Sequence, residues 1–182
     1  MSTSPSTYDL RRKLIEIARA ELGTVETPPG SNRGPRVQQY QSACDYSKEA
    51  KTGWAWCAAF VCWCVREWLK DADVRAALGL KTLAEAVAWR PKTAAAWGLK
   101  DWAAKKGLLI MDDSMNNVLH TGDLVTFDFS HCALLETDEA DQIYTIEGNT
   151  SPARGTADRD GGCVAAHVHP RSLARNFIRM LA

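Results

Sequence analysis

Hydrophobic residues recur at two different periods along the chain, and the change of period divides it. From about Tyr8 to Leu22, the residues Leu10, Leu14, Ile17, Ala18 and Leu22 fall at helical spacing, and Gly23 supplies a stop. "TPPGSNRGP", residues 27–35, carries strong turn chemistry, and Val37, Tyr40 and Cys44 mark a short second helix after it. A loop through Lys51, Thr52 and Gly53 leads into "GWAWCAAFVCWCVREW", which holds three cysteines and four tryptophans. From Cys57 to about Leu69 this stretch is apolar nearly all round, the pattern of a helix in the centre of a domain. Short helices broken by Gly79, Pro91 and Gly107 are expected over 71–106, with Trp89, Trp97 and Trp102 in the core.

After "HTGD" at 120–123 the period falls to two. "LVTFDF", "HCALLE" and "IYTIEG" read as three antiparallel strands, with "TDEADQ" as the second hairpin loop. "NTSPARGTADRDGG", 149–162, reads as a long polar loop, with a turn at "DRDGG", and "CVAAHVH" as the last strand. Helices first and sheet second predict an α+β fold: a polar tail over 1–7 and one domain over 8–182.

Composition narrows the function classes. Lys+Arg and Asp+Glu balance at 22 each, so bulk charge offers no attraction for nucleic acid or an anionic membrane. No stretch approaches the roughly 18–20 apolar residues of a membrane span, and the N-terminus lacks the apolar run of a secretory signal. The expectation is a monomer made in the cytoplasm, with no stable membrane association and its thiols free. Within the apolar helix, Cys62 and Cys64 point to opposite sides, and Cys57 and Cys64 lie about 10 Å apart, beyond disulfide reach.

A thiol becomes a nucleophile where a helix N-terminus and a histidine lower its pKa. Cys57 alone has that address; Cys62 and Cys64 lie deeper, where burial raises the pKa. Pairing Leu135 with Ile143 would set Ala133 opposite Thr145 and His131 opposite Glu147, on one face of the sheet. Glu147 could then orient His131, with Asn149 on the same face as the alternative orienter. His120 sits in a turn; His167 and His169 complete no familiar zinc spacing and read as structural or exposed.

"WAWCAAFVCWC", "TGDLVTFDFSHCALLE" and "YTIEGN", in that order, resemble the three signatures of CHAP domains, the cysteine, histidine-dependent amidohydrolases/peptidases of the papain-like NlpC-type superfamily. The resemblance runs from about Glu21 to Ile178 and takes in "GSNRGPRVQQY" and "GGCV". It implies a papain-like fold, with the nucleophile on a central helix packed against a C-terminal antiparallel sheet. It implies Cys57 as nucleophile, His131 as general base and Glu147 as its orienter, while Asn149 occupies the asparagine of the family's Glu-x-Asn pattern. It also implies bacterial peptidoglycan as substrate, cut at an amide bond by an amidase or endopeptidase of the phage-endolysin kind. Trp56 would be a substrate-stacking residue, and the 27–35 and 149–162 loops would wall the cleft. No cofactor is expected. Some members carry calcium, but Asp45 and Glu49 lack the Asp-x-Asp-x-x-Gly character of a calcium loop, and no other metal site is expected. Cys132 stands where the family has an aliphatic residue. The alternatives are a secretion-system effector with the same chemistry, and a wall-binding module that has lost activity.

Overall fold

The computed structural model describes residues 5–48, 53–114, 116–152 and 160–182. It is α+β: six helices and a six-stranded antiparallel sheet. The first helix, α1 (Thr7–Arg19), starts within the expected tail, because Ser6 and Asp9 cap it reciprocally. α2 (Pro35–Gln41) begins with proline and ends before Cys44, which precedes a 3-10 turn at Asp45–Lys48. α3 (Cys57–Trp68) is the predicted central helix. Ten of its twelve residues are buried, and only Arg66 and Glu67 reach solvent. The 71–106 stretch forms α4 (Ala72–Ala77), α5 (Leu83–Trp89) and α6 (Gly98–Lys105).

The sheet is larger than the alternation indicates. To the predicted strands β2 (Leu124–Phe127), β3 (Cys132–Glu139), β4 (Gln142–Thr150) and β5 (Cys163–Pro170), the fold adds β1 (Leu109–Met111) and β6 (Ala174–Arg179). "CVAAHVH" is therefore not the last strand. The strand order is β1-β6-β2-β3-β4-β5. β1 is only three residues long, and β6 is interrupted by charged residues, so neither carries a clear period of two. Of the polar loop expected over 149–162, Asn149 and Thr150 belong to β4; 153–159, including the start of "DRDGG", lies outside the described residues, as do 1–4 of the tail, Glu49, Lys51 and Thr52.

The sheet separates two cores, as alternation requires. Leu124, Cys132, Leu134, Ile146 and Ile178 face the helices, while Val125, Ala133, Leu135, Ile143 and Phe177 build a smaller core on the other side. α3 lies in the larger core; Trp68 at its end donates to the Leu10 carbonyl of α1 at 2.7 Å. At its start, Gly148 of β4 is pressed against it: a Cβ there would sit 2.5 Å from Phe60 Cβ and 2.9 Å from the Trp56 ring. This close approach brings Glu147 to the beginning of α3. Gly148→Ala is expected to destabilise the protein by about 1–3 kcal/mol through overpacking. A drop of several degrees in thermal midpoint would register it; an unchanged midpoint would mean that β4 can withdraw without cost.

The β3–β4 register differs from expectation by two residues. Leu135 pairs with Thr145, not Ile143, and Leu134 with Ile146. Both strands run on into "TDEADQ", leaving a tight turn at Ala140 and Asp141 with Ala140 at φ 54°, and the register breaks between Leu135 and Thr137, at Glu136. An even slip keeps every side chain on its own face. Glu147 therefore still meets His131, but not as a directly opposed pair.

Candidate active site

Cys57 is the first residue of α3, where the first-turn backbone N–H groups are not used within the helix. It is 5 % exposed, at the floor of an open cleft of about 530 Å³. His131 immediately precedes β3 and is fully buried in a cluster with two phenyl rings. Phe129 stacks on it at 5.7 Å and 12°, and Phe127 at 6.0 Å and 23°. These rings fix the imidazole plane. Its Nε2 meets Glu147 Oε2 at 2.8 Å, leaving Nδ1 for the thiol. Among the described residues Nδ1 has no hydrogen-bond partner.

Glu147 is itself 1 % exposed and accepts more than this one bond. Thr145 Oγ1 donates to Oε1 at 2.5 Å, and His169 Nε2 meets the same oxygen at 2.7 Å. A carboxylate so buried survives as an anion only because these groups satisfy it. Burial pushes its pKa up, but the His131 and His169 hydrogen bonds and charges outweigh that and hold it well below the usual carboxylate range.

The electrostatics favour an ion pair. The Cys57 thiol is held well below its usual pKa, first by the Cys132 thiol that donates to it, then by His131 and the Ala58 N–H, against the opposing effect of burial. Cys132 is pushed well above the ordinary thiol value, first by burial and then by the neighbouring Cys57 charge, so it stays protonated as the donor. Burial alone would depress His131, but Cys57 and Glu147 raise it to about 9. These opposite shifts favour thiolate beside imidazolium, balanced by the Glu147 carboxylate.

The pH dependence follows. A thiol held well below its ordinary pKa ionises earlier than a free one, and a histidine raised to about 9 holds its proton until pH 9 is passed. A hydrolase working through this pair is expected to be on a plateau at pH 7 and to fall above about 9 as the imidazolium is lost. A pH profile of kcat/KM measures this. Activity that rises only above about pH 8.5, where an ordinary thiol ionises, would contradict the ion pair.

The structure thus brings Cys57, His131 and Glu147 together, and moves others. Asn149 is buried on β4 at φ 58°, with its Nδ2 3.3 Å from Asp160 Oδ1; Glu147, not Asn149, holds the His131 ring. Trp56 is fully buried, stacked on Tyr40 at 5.5 Å, and donates from Nε1 to Glu26 at 2.9 Å. It cannot stack on a substrate, because the ring is wholly enclosed and its only donor is already used inside the fold. Trp97, expected in the core, is instead 64 % exposed on the cleft wall. Tyr46, also exposed, stands on the same cleft. Among the described residues the wall is the 93–97 segment; the described parts of the 27–35 and 149–162 loops border a separate groove at Gly30, Pro152 and Gly161, and 153–159 lie outside the described residues. Cys44 and Cys62 hold that segment from below, both thiols donating to the Thr93 carbonyl, at 3.0 and 3.5 Å. Burial pushes the pKa of Cys64 well up.

His167 and His169 are buried, not exposed. His169 and Thr145 are the members of the network that sequence reasoning missed. Their signal was faint: His167-x-His169 alternates on one face of a strand, and Thr145 shares a face with Glu147. No group of three His, Cys, Asp or Glu side chains placed to hold a metal ion occurs among the described residues, and no described helix is long and apolar enough to cross a membrane. All six cysteines are unbridged. Compared with known proteins, the chain matches no protein-family model, no curated protein and no solved structure.

Proposed function

We propose that the protein is a thiol hydrolase of the papain-like, CHAP-domain kind that cuts an amide bond in bacterial peptidoglycan, as an N-acetylmuramoyl-L-alanine amidase or endopeptidase. The observation that carries this reading is the buried Cys57–His131–Glu147 set at the floor of a cleft, with the thiol at a helix N-terminus. A structural cysteine needs neither a depressed pKa nor a histidine held by a carboxylate.

In the proposed reaction the Cys57 thiolate attacks the amide carbonyl, and the backbone N–H of Cys57 stabilises the tetrahedral oxyanion. His131 passes its Nδ1 proton to the leaving amine as the C–N bond breaks, leaving a thioester and a neutral imidazole. His131 then takes a proton from water, whose oxygen attacks the thioester; the acid product leaves and the thiolate–imidazolium pair is restored. Trp97 and Tyr46 offer apolar surfaces to sugar rings or peptide at the cleft rim.

The balanced charge and the open cleft suit a neutral-to-mixed polymer better than a polyanion. A phage endolysin, reaching the wall through a holin-made lesion and acting as a monomer, is the biological setting proposed; a secretion-system effector would use the same chemistry. The test is incubation with purified peptidoglycan of several chemotypes, following turbidity and newly released amino groups. Loss of turbidity with new amino groups and no new reducing ends is expected. Inactivity on every wall type would overturn the assignment and favour a wall-binding module.

A further inference from the structure

The cleft over Cys57 continues past its rim. Ala96, Trp97 and Ser130 also line a smaller pocket of about 170 Å³, which reaches Asn176 of β6. Asn176 is 9 % exposed, and its Oδ1 is buried with no hydrogen-bond partner among the described residues. A buried acceptor left unsatisfied costs stability, and such groups in folded proteins call for a specific reason. An unpaired carbonyl oxygen on a pocket wall asks for an N–H donor from a ligand.

The sheet connects this atom to the nucleophile. Asn176 pairs with Thr126, and Thr126 pairs with Cys132, in one row across three strands. Cys132 belongs to the helix-side core, so the row faces the helices, and its thiol acts directly on Cys57. Two strand spacings separate Asn176 from Cys132, roughly 10 Å, a distance an extended peptide covers in about three residues. Charge marks the same pocket. Lys100 and Asp101 of α6 line it and form no ion pair among the described residues. Arg175 and Asp128 line it too, 3.8 Å apart with side chains 65 % and 72 % exposed, a loose pair open to exchange. Two cations, two anions and one orphan acceptor match a ligand that carries both charges.

We propose that this pocket is a subsite for the free amino-acid end of a substrate peptide, a residue bearing ammonium and carboxylate on one carbon. The ammonium donates to Asn176 Oδ1 beside the acidic pair, and the carboxylate meets Lys100 and Arg175. The proposal rests on the reading of the cleft as a peptide-cutting site, and names the part of the peptide that sets its preference.

Binding tests it without turnover. The Cys57→Ala protein is titrated with a short wall-type peptide ending in a diamino-dicarboxylic residue, and with the same peptide acetylated on the distal amine or amidated on the distal carboxyl. Either cap is expected to weaken binding at least tenfold, with the side-chain amide signal of Asn176 shifting only for the uncapped peptide. Asn176→Ala should remove the penalty for acetylation. Lys100→Ala, an exposed change that leaves the core alone, should remove the penalty for amidation. Equal affinity for all three peptides, or no binding of any, overturns the subsite. Hydrolysis of the same peptides by the wild-type protein separates the two ideas. Cutting capped and uncapped forms alike sinks the subsite and leaves the hydrolase. Discriminating binding without any cutting sinks the hydrolase and leaves the pocket.

Discussion

Cys57→Ala is expected to lower peptidoglycan hydrolysis by roughly 10⁴-fold or more, the scale seen when an essential nucleophile is removed. The change deletes the atom that forms the acyl bond, and no neighbouring thiol can replace it. Cys132 is fully buried and held protonated, and Cys62 and Cys64 are fully buried in α3. Cys64→Ala, at a position inside the core with no place on the cleft, should keep turnover and lose only stability. Turbidity loss, with folding checked by circular dichroism, measures both. Comparable loss in the two variants, or full activity in Cys57→Ala, would reject the nucleophile. A thiol reagent should also label Cys57 ahead of the other five cysteines, since it alone combines a lowered pKa with a place on the cleft.

Glu147→Gln is expected to cost roughly 10²–10⁴-fold in kcat/KM, the range set by losing the group that orients a catalytic histidine. The physical reason is the count of acceptors. The carboxylate takes His131 on one oxygen, and Thr145 and His169 on the other. A glutamine has one acceptor oxygen, so its NH₂ must confront one of these donors. If it faces His131, the ring is driven to the tautomer with its proton on Nδ1, the nitrogen that should receive the thiol proton. Loss of the anion also removes part of what raises His131 to about 9, so the alkaline limb of the pH profile should move down. A fall in rate with that limb unmoved would mean Glu147 serves only the packing. Stability should change in the same direction. The lowered Glu147 pKa stabilises the fold above the unfolded carboxylate pKa and is lost as pH falls through the folded value. The variant should therefore lose stability at neutral pH and lose less than wild type on acidification.

Much of this site is local and so legible along the chain. The address of Cys57 follows from a glycine-containing loop running into an apolar helix. The shared face of His131 and Glu147 follows from parity, which a two-residue error in register leaves unchanged. Parity could not show that Glu147 also serves His169, because that contact comes from β5, beyond a loop whose length hides the pairing. The fates of the tryptophans are not set locally. Trp56 and Trp97 are equally apolar and equally flanked by small residues. One is enclosed by Tyr40 and Glu26, the other has nothing above it, and only long-range packing distinguishes them.

The sequence by itself determined the order of helices and then sheet, the start of the central helix at Cys57, and the faces on which His131 and Glu147 stand. These depend on period, turn chemistry and helix ends, which act over a few residues. Tertiary structure decided the register of β3 on β4, the addition of β1 and β6, the joining of His169 and Thr145 to Glu147, and the choice of 93–97 as the cleft wall. Each of these is a contact between segments far apart in the chain, set by which surfaces fit and by which buried polar atoms must find partners.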